Sequence, residues 1–491
     1  MKYIFLILFL FLSLITAKAQ NISDVVRWST VDPVGTARTL GVGSAFGAMG
    51  GDFSVININP AGIADYRTSE FTLSPSLNIT KANAFFIADN KNLQSYKKSS
   101  LSLDNLGFVI SKNGDETWTT SNFAMGYSRT ATLNNNIRIN GKTKGSITKM
   151  FAEKANGKTP DELDDFVAYP AYNTGAIYDF DGDNFYSTDF RRADLLINKN
   201  QNINQKGGIN EFTFGWAGEY RHKMNLGISI GIPFASMEEL KTYSEIDEAD
   251  EIPVFKGLEY VERLNTSGVG FNFKTGFIYK ITPFVRFGGA FHSPTWFKFT
   301  DDYSTSMTYS FVDNGSQTFD YNSPDGTFDY KITSPWRASG SLGTIYKLGS
   351  IVGFVNADVE FVDYTNASYN GSFTSDPVEL NYTKEVNEQI LTKLGTATNI
   401  RLGTELGYKN LRLRAGYSWE QSAFNADDFY NNRLSFGIGF RENNFFLDLG
   451  MRIFQKTEGY LPYTVLDPTL DPLSNIETRR TKAALTLGFK F

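Results

Sequence analysis

The stretch RLGTELGYKNLRLRAGYSW, from Arg401 to Trp419, has the clearest pattern in the chain. Large or uncharged side chains alternate with charged residues, glycine and serine over two runs. Only Lys409 and Asn410 separate the runs, so the stretch predicts a β-hairpin with a two-residue turn. One face carries Leu402, Thr404, Leu406, Tyr408, Leu411, Leu413, Ala415, Tyr417 and Trp419, and the other carries Arg401, Gly403, Glu405, Gly407, Arg412, Arg414, Gly416 and Ser418.

Hairpins of this kind recur along the chain. Short turns are predicted at Arg221–Asn225, Lys280–Pro283, Lys347–Ser350 and Arg441–Asn444, and a weaker hairpin covers Leu103–Ser111 and Asn122–Arg129. Long polar segments separate the hairpins, at 81–100, 131–209, 236–266, 298–331, 365–396, 421–431 and 457–475. With Phe71–Ile79 first and Ile476–Phe491 last, the pattern predicts about fourteen strands, with short turns at one end and long loops at the other. The predicted fold is all-β, a transmembrane antiparallel β-barrel over residues 69–491.

Composition and charge agree with a barrel. The chain has 42 Phe and 25 Tyr with a mean hydropathy of only -0.27, as alternating strands produce. No run of 18 apolar residues follows the N-terminus, and no cysteine is present to form a disulfide. The net charge of -6 argues against nucleic acid as a partner. A large secreted β-sandwich or propeller is the soluble alternative, but no blade-length repeat is visible.

The N-terminus has the features of a secretory signal peptide. Lys2 precedes an apolar run from Tyr3 to Ile15, and Ala17-Lys18-Ala19 fits a cleavage site. We therefore expect residues 1–19 to be removed and the mature barrel to lie in the outer membrane of a Gram-negative bacterium.

The glycine-rich stretch from Gly41 to Gly62 does not fit a nucleotide site. It lacks the Lys-Ser or Lys-Thr of a phosphate-binding loop, and no βαβ unit follows. Residues 20–68 precede the first strand, show no alternation and are rich in small residues. A segment that lacks bulk can pack closely inside a barrel, and a wide barrel needs such a plug.

Three stretches resemble the FadL/TodX family of outer-membrane transporters. They are GTARTLGVGSAFGAMGGDFSVININPAGIADY (35–66), YKITPFVRFGGAFHSP (279–294) and SPWRASGSLG with NADVEFVDY (334–343 and 356–364). The resemblance implies an N-terminal hatch over 20–68, with Asn59, Pro60, Ala61 and Gly62 as hatch or gating residues. It implies passive uptake of hydrophobic small molecules, such as long-chain fatty acids or aromatic hydrocarbons, through an apolar site among the outer loops and a hatch-gated passage. It implies no cofactor and no energy-coupling protein.

Charged residues fall on the face opposite the apolar one and should point into the lumen, where they can pair across strands. Arg412 and Arg414 are the candidates to contact a substrate carboxylate. The predicted lumen set is Arg286, Arg337, Asp358, Glu360, Arg401, Glu405, Arg412, Arg414, Arg433, Asp448 and Arg452.

The longest predicted loop, 131–209, should contain some helix. Thr159-Pro160-Asp161-Glu162 reads as a capping box ahead of Leu163, Phe166 and Val167. Such a loop serves as a lid or binding element, or merely covers the barrel mouth.

Other functions have weaker support. An enzyme needs a nucleophile and a base, and only His222 and His292 are available, so no enzyme is predicted. A haem receptor, a label often given to this branch of the family, needs an axial ligand such as His or Tyr. A receptor with energy coupling needs 22 strands and a larger plug. A structural or adhesive barrel is a further alternative. We expect a monomer in contact with outer-membrane lipid, whose terminal Phe491 is read by the barrel assembly machinery.

Overall fold

The computed structural model describes residues 19–491 except 33–34, 191–194, 314, 372–376 and 428–429. The predicted signal peptide lies outside the described residues apart from Ala19. The strands form one antiparallel sheet in which the first strand pairs with both the second and the last, so the sheet closes into a barrel. The wall has 14 strands, which confirms the predicted fold class.

The described residues contain nineteen strands, and their bounds are β1 (Glu70–Phe86), β2 (Gln94–Asn113), β3 (Trp118–Thr132), β4 (Asn135–Lys144), β5 (Leu196–Tyr220), β6 (Met224–Ile246), β7 (Phe255–Lys280), β8 (Val285–His292), β9 (Trp296–Val312), β10 (Ser316–Asn322), β11 (Gly326–Thr333), β12 (Arg337–Leu348), β13 (Ile351–Asp363), β14 (Ser368–Gly371), β15 (Thr396–Tyr408), β16 (Leu411–Gln421), β17 (Tyr430–Arg441), β18 (Phe445–Tyr460) and β19 (Ser474–Lys490). β4, β9, β10, β11 and β14 extend the wall beyond the other strands on the side of the long loops.

Helices are short and lie in the lumen or in the outer loops. The α-helices are α1 (Ala19–Ser29), α2 (Ala37–Gly41), α3 (Ile147–Ala155), α4 (Ala168–Asn173) and α5 (Pro377–Lys393). Single 3-10 turns cover Phe53–Asn57, Pro60–Asp65, Ile87–Asp89, Pro160–Glu162, Tyr364–Asn366 and Pro468–Leu470. Among the residues described, no helix is both long and apolar enough to cross a membrane.

The two faces of the wall differ in polarity, as the alternation predicts. On β15 and β16, Leu402 and Leu413 are exposed on the outside, whereas Glu405 and Arg414 are buried on the inside. Apolar side chains on the outer face match the hydrocarbon core of a bilayer. Polar side chains on the inner face can hydrogen-bond to one another and to whatever fills the lumen.

The connections follow the predicted order of short and long. Six turns of two to four residues join strands at one end, at 114–117, 221–223, 281–284, 349–350, 409–410 and 442–444. The predicted long loops are partly strand: 236–266 contains only eight residues outside β6 and β7, namely 247–254. Beyond the bilayer the strands still form backbone hydrogen bonds, because this pairing does not require an apolar face. Their outer side chains contact no lipid there, so apolar and polar residues no longer alternate.

Residues 35–66, here called the lumen segment, lie inside the barrel and are almost all buried. Small residues on the lumen segment and on the facing strands allow this close packing. A Cβ at Gly227 on β6 would come within 2.4 Å of Ala61 N, and one at Gly416 on β16 within 2.1 Å of the Val42 carbonyl carbon. Inward-facing glycines against the lumen segment occur around the wall, at Gly107, Gly126, Gly215, Gly227, Gly276, Gly288, Gly343, Gly403, Gly416, Gly437 and Gly450.

The outer loops pack into a cap of their own. α3 and α4 bury Phe151 and Ala171 in an apolar cluster with Phe255 and Tyr309 of the extended strands. The predicted capping box forms, with the Glu162 carboxylate accepting from the N–H and the hydroxyl of Thr159 at 2.9 Å each. It begins a single 3-10 turn rather than an α-helix, because Leu163 is already extended.

Candidate binding site in the barrel lumen

α1 occupies the outer half of the lumen. Ile22, Val25 and Trp28 recur at helical spacing and are buried in one apolar cluster with strand residues of the barrel mouth. The Trp28 ring lies 4.8 Å from that of Phe299, centroid to centroid. The helix thus fills the centre of the mouth with its apolar face against the wall.

Polar contacts hold the end of α1 and the residues that follow it. The Arg337 guanidinium donates to the Ser29 carbonyl, and the Asp32 N–H donates to the Thr130 carbonyl at 2.6 Å. The Asp32 carboxylate accepts from Arg433 at 3.0 Å and also from Arg452. A carboxylate between two arginines is a strong anchor in a partly desolvated site.

A cavity of about 260 Å³ lies beside this anchor, against β1, β17, β18 and β19. Its lining includes the apolar side chains of Ala131, Leu133 and Phe454. The charged residues that line it are Arg27, Asp32, Arg433, Arg452, Lys456, Glu458, Arg480 and Lys482. Cations therefore outnumber carboxylates in a site that also offers apolar wall.

Arg480 is distinct from the other cations of this cavity. Arg27, Arg433, Arg452, Lys456 and Lys482 each form an ion pair with a carboxylate. Among the described residues no carboxylate lies within 4.0 Å of the Arg480 nitrogens, and its guanidinium donates only to the Thr132 carbonyl, at 3.1 Å. The site thus carries one cation that forms no ion pair among the described residues.

Four residues that line the cavity each carry a buried polar atom without a hydrogen-bond partner among the described residues. These atoms are Asn78 Oδ1, Arg433 Nε, Thr478 Oγ1 and Arg480 Nε. Buried polar groups are normally paired, because an unpaired one costs about 1–3 kcal/mol. Their concentration around one cavity fits a site that completes its hydrogen bonds with a guest.

The barrel wall beside the cavity has an incomplete seam, here called the β2–β3 seam. Backbone pairing of β2 with β3 ends at Asn105 and Ser128. Beyond that level β2 continues with β1, while β3 and β4 follow β5. Among the described residues, side-chain donors bridge the seam: Lys98 Nζ donates to Asn204 Oδ1 at 2.8 Å and to the Gln205 carbonyl at 3.0 Å, and Asn134 Nδ2 donates to Ser100 Oγ at 3.0 Å.

A second cavity, of about 560 Å³, lies on the other side of the residues that follow α1. Thr30, Arg433 and Phe454 line both cavities. The second cavity is lined largely by polar side chains, including Arg401, Glu420 and Asn399. The chain around Thr30 therefore divides one larger space in two.

The predicted hatch residues lie within the lumen segment and are buried. Asn59 precedes the turn Pro60–Asp65, and its Oδ1 accepts from the Ala61 N–H at 3.2 Å. Its Nδ2 donates to the carbonyls of Gly47 at 2.7 Å and Phe277 at 3.1 Å. Asn59 thus joins two parts of the lumen segment to β7. A gating role for these four residues stays a prediction.

The two arginines predicted to meet a carboxylate lie in different surroundings. Arg414 is fully buried and pairs with Glu405 at 2.6 Å and Asp448 at 2.8 Å, so its charge is neutralised within the wall. Arg412 lies at the end with the short turns, where it donates to the carbonyls of Lys409 and Leu411. Neither lines the cavity beside α1.

The two histidines lie in different parts of the barrel. His222 lies in a short turn with its side chain 78% exposed. His292 Nε2 contacts the Ile58 carbonyl at 3.0 Å in the lumen. In the part of the chain that the structure describes, no group of three or more His, Cys, Asp or Glu side chains is placed to hold a metal ion.

The fold and the filled lumen define a class: a membrane β-barrel closed by its own N-terminal segment. No protein-family model and no curated protein matches the sequence. Among solved structures, the chain resembles the toluene transporter TodX of Pseudomonas putida, with a TM-score of 0.52 and 12% identity over 94% of this chain and 99% of that one. It also resembles a FadL homologue of Pseudomonas aeruginosa, with a TM-score of 0.53 and 10% identity over 94% and 100%.

The chain therefore has the fold of the FadL and TodX channels, which confirms at the level of the fold the resemblance seen in its sequence. TodX is described as a toluene transporter, in keeping with the prediction that this chain is not an enzyme.

Sequence reasoning missed the residues that build the cavity. Arg480 follows Arg479 in an ordinary alternating strand, and nothing marks it as unpaired. Asp32 precedes the recognisable lumen motif, and Lys98 falls in a segment predicted to be loop. Only the three-dimensional pairing distinguishes these residues from the many other charges of the lumen.

Proposed function

We propose that the protein is an outer-membrane channel for the passive uptake of hydrophobic small molecules that bear a carboxylate, of which long-chain fatty acids are the model. The observation that carries the proposal is the cavity at Arg480, where a cation without an ion-pair partner among the described residues and apolar side chains of the wall adjoin the β2–β3 seam. The channel fold of TodX, a toluene transporter, supports transport of apolar compounds in general.

The cavity and the seam together suggest a route. The carboxylate of the ligand binds the guanidinium groups of Arg480 and Arg433, while its chain lies along Leu133 and Phe454. The lumen segment acts as the hatch that blocks axial flow. The ligand then leaves sideways between β2 and β3, where no backbone hydrogen bonds need to break. Lateral release delivers an apolar molecule to lipid rather than to water.

Replacing Arg480 tests the proposal directly. We expect Arg480→Met to weaken oleate binding by about 10- to 100-fold, since a hydrogen bond to a charged group contributes about 1.5–3 kcal/mol. Binding of toluene, which has no charge to pair, should change little. Isothermal titration calorimetry on the purified full chain in a non-ionic detergent provides the measurement.

Arg480→Lys is the matched control, because it keeps the positive charge and most of the side-chain volume. It should retain more oleate binding than Arg480→Met. Equal loss of oleate and toluene binding would indicate that the cavity had collapsed. Unchanged oleate binding in Arg480→Met would contradict the assigned site.

The Asp32 carboxylate already occupies part of the cationic site, so a ligand carboxylate must compete with it. We expect Asp32→Asn to raise oleate affinity by about tenfold, because Arg433 and Arg452 then lose their shared counter-charge. Glu420→Gln, which removes a different partner of Arg433, is the control and should have a smaller effect. Weaker oleate binding in Asp32→Asn would mean that Asp32 instead positions the arginines for the ligand.

The haem-receptor alternative gains no support from the described residues. His292 has its Nε2 at the Ile58 carbonyl, and His222 lies at the end of the barrel opposite the long loops. A structural barrel without transport would bind neither oleate nor toluene, so the same titrations address that alternative.

A further inference from the structure

A third cavity, of about 440 Å³, lies beneath the lumen segment at the end of the barrel with the short turns. We call it the lower vestibule. Its roof is formed by Met49, Gly50 and Gly51 of the lumen segment, and Ile345 and Phe354 contribute apolar wall. The cations that line it are Arg38, Arg67, Lys280, Arg286, Arg412, Arg441 and Lys490, against only two lining carboxylates, Asp65 and Glu405.

The carboxylates in and around the vestibule are each shared by more than one cation. Glu405 pairs with Arg38 and Arg414, and Asp448 pairs with Arg414 and Arg441. Asp65 is shared in the same way by Arg286 and Lys280, and Glu219 by Arg67 and Lys280. The carboxylates that contact these cations therefore number fewer than the cations. This local excess of positive charge contrasts with the net charge of -6 of the whole chain.

Two cations of the vestibule have no carboxylate partner within 4.0 Å among the described residues. Arg412 lies against Gly407 of the neighbouring strand and donates only to backbone carbonyls, from Nη1. Lys490 ends β19 and lines the vestibule, and Glu70, opposite it on β1, accepts a hydrogen bond from the Tyr66 hydroxyl. Arg286 Nε adds a buried donor without a partner. Arg412 and Lys490 therefore bring cations without an ion-pair partner to the vestibule from two strands.

We propose that the lower vestibule is a second anion site, which takes a small multivalent oxyanion such as a polycarboxylate or a phosphate ester. Several donors on separate strands suit a ligand with two or more negative groups better than a single carboxylate. A volume of about 440 Å³ lies within the range of small-molecule sites. The lumen segment separates the vestibule from the cavity at Arg480, so the two sites take their ligands from opposite sides of the membrane.

Arg38 links the vestibule to the lumen segment. Its guanidinium pairs with Glu405 on the wall at 2.9 Å and donates to the Gly51 carbonyl at 2.9 Å. An anion in the vestibule competes with Glu405 for this guanidinium. An anion bound in the vestibule would therefore contact Arg38, which links the lumen segment to the wall.

Calorimetric titration of the purified full chain with inorganic pyrophosphate, and separately with citrate, tests the proposal. The double variant Arg412→Gln/Lys490→Gln should bind pyrophosphate at least about tenfold more weakly than the unmodified chain. Lys409→Gln, at an exposed lysine of the adjacent turn outside the vestibule, is the matched control and should bind normally. Tighter binding of pyrophosphate than of citrate would favour a phosphate ester, and the reverse order a polycarboxylate.

Arg412→Gln alone provides a second variant that leaves the C-terminal strand untouched, should the double variant fail to assemble. Equal binding by the chain and by Arg412→Gln, or no binding of either anion by the chain, would overturn the proposal. Arg480→Met should leave pyrophosphate binding intact. Failure of the oleate site and failure of the vestibule site are therefore distinguishable.

Discussion

Cross-linking the β2–β3 seam is expected to abolish most uptake of oleate while leaving the barrel folded. The chain has no cysteine, so Ser100→Cys and Asn134→Cys would be its only thiols. Their native side chains touch across the seam at 3.0 Å, and a short bifunctional thiol reagent would join them. The expected loss is large because, among the described residues, side chains supply the hydrogen bonds across the seam on the outer side of Asn105, and a covalent bridge closes a part of the wall that opens without breaking backbone pairing.

Uptake of radiolabelled oleate by cells that express the variant, before and after the reagent, provides the measurement. Ser76→Cys/Ser102→Cys is the matched control: these side chains touch at 2.9 Å beside the same cavity, but they join β1 and β2, which are already paired there. The control should transport oleate after cross-linking. Equal inhibition in both variants would implicate blockage of the cavity, and unimpaired uptake in the seam variant would exclude lateral release.

Much of the wall could be predicted because the alternation of each strand depends only on neighbouring residues in the sequence. A strand that faces lipid on one side and a filled lumen on the other must alternate, so the hairpin from Arg401 to Trp419 appears in the structure with its turn at Lys409 and Asn410. The outer extensions could not be predicted in the same way. Beyond the bilayer, β6 and β7 pair through polar residues, and the sequence there resembles loop.

The candidate site was predicted in outline only. Alternation placed Arg433 and Arg452 in the lumen but could not show that both meet Asp32, because that contact joins residues about 400 positions apart. Arg414 looked as available as any lumen arginine, yet Glu405 and Asp448 neutralise it. Whether a charged side chain is available to a ligand depends on the charges of the residues around it. Those residues come together when the barrel closes, so sequence spacing does not reveal them.

The glycine-rich stretch has a related explanation. Its small residues face small residues on the wall. The close packing therefore depends on two segments that are distant in sequence. Gly416 on β16 lies directly against the backbone of Val42 and Gly43. Both partners are backbone, and neither can move aside as a flexible side chain would. A side chain at Gly416 should therefore displace the lumen segment as a unit.

Gly416→Val is thus expected to destabilise the packing of the lumen segment by about 1–3 kcal/mol or more, since overpacking typically costs about 1–3 kcal/mol and the atoms met here cannot move aside. Two readouts follow: a lower unfolding temperature on semi-native gels, and a larger ion conductance in planar bilayers than that of the unmodified chain. Gly340→Val is the control, because a Cβ at Gly340 meets no atom within 4 Å and this residue faces outward on β12. Valine at this position should not change the stability of the barrel, because valine is favoured in strands and its side chain has free space there.

The conductance separates two explanations of a stability loss. If Gly416→Val lowers the unfolding temperature and also opens the pore, the lumen segment has been displaced while the barrel wall remains folded. If it lowers the temperature without a larger conductance, the wall itself has distorted, and the lumen segment is a structural core rather than a separable hatch. A variant with unchanged stability and unchanged conductance would contradict the close packing of Gly416 on Val42, and with it the account of why this barrel is lined with glycine.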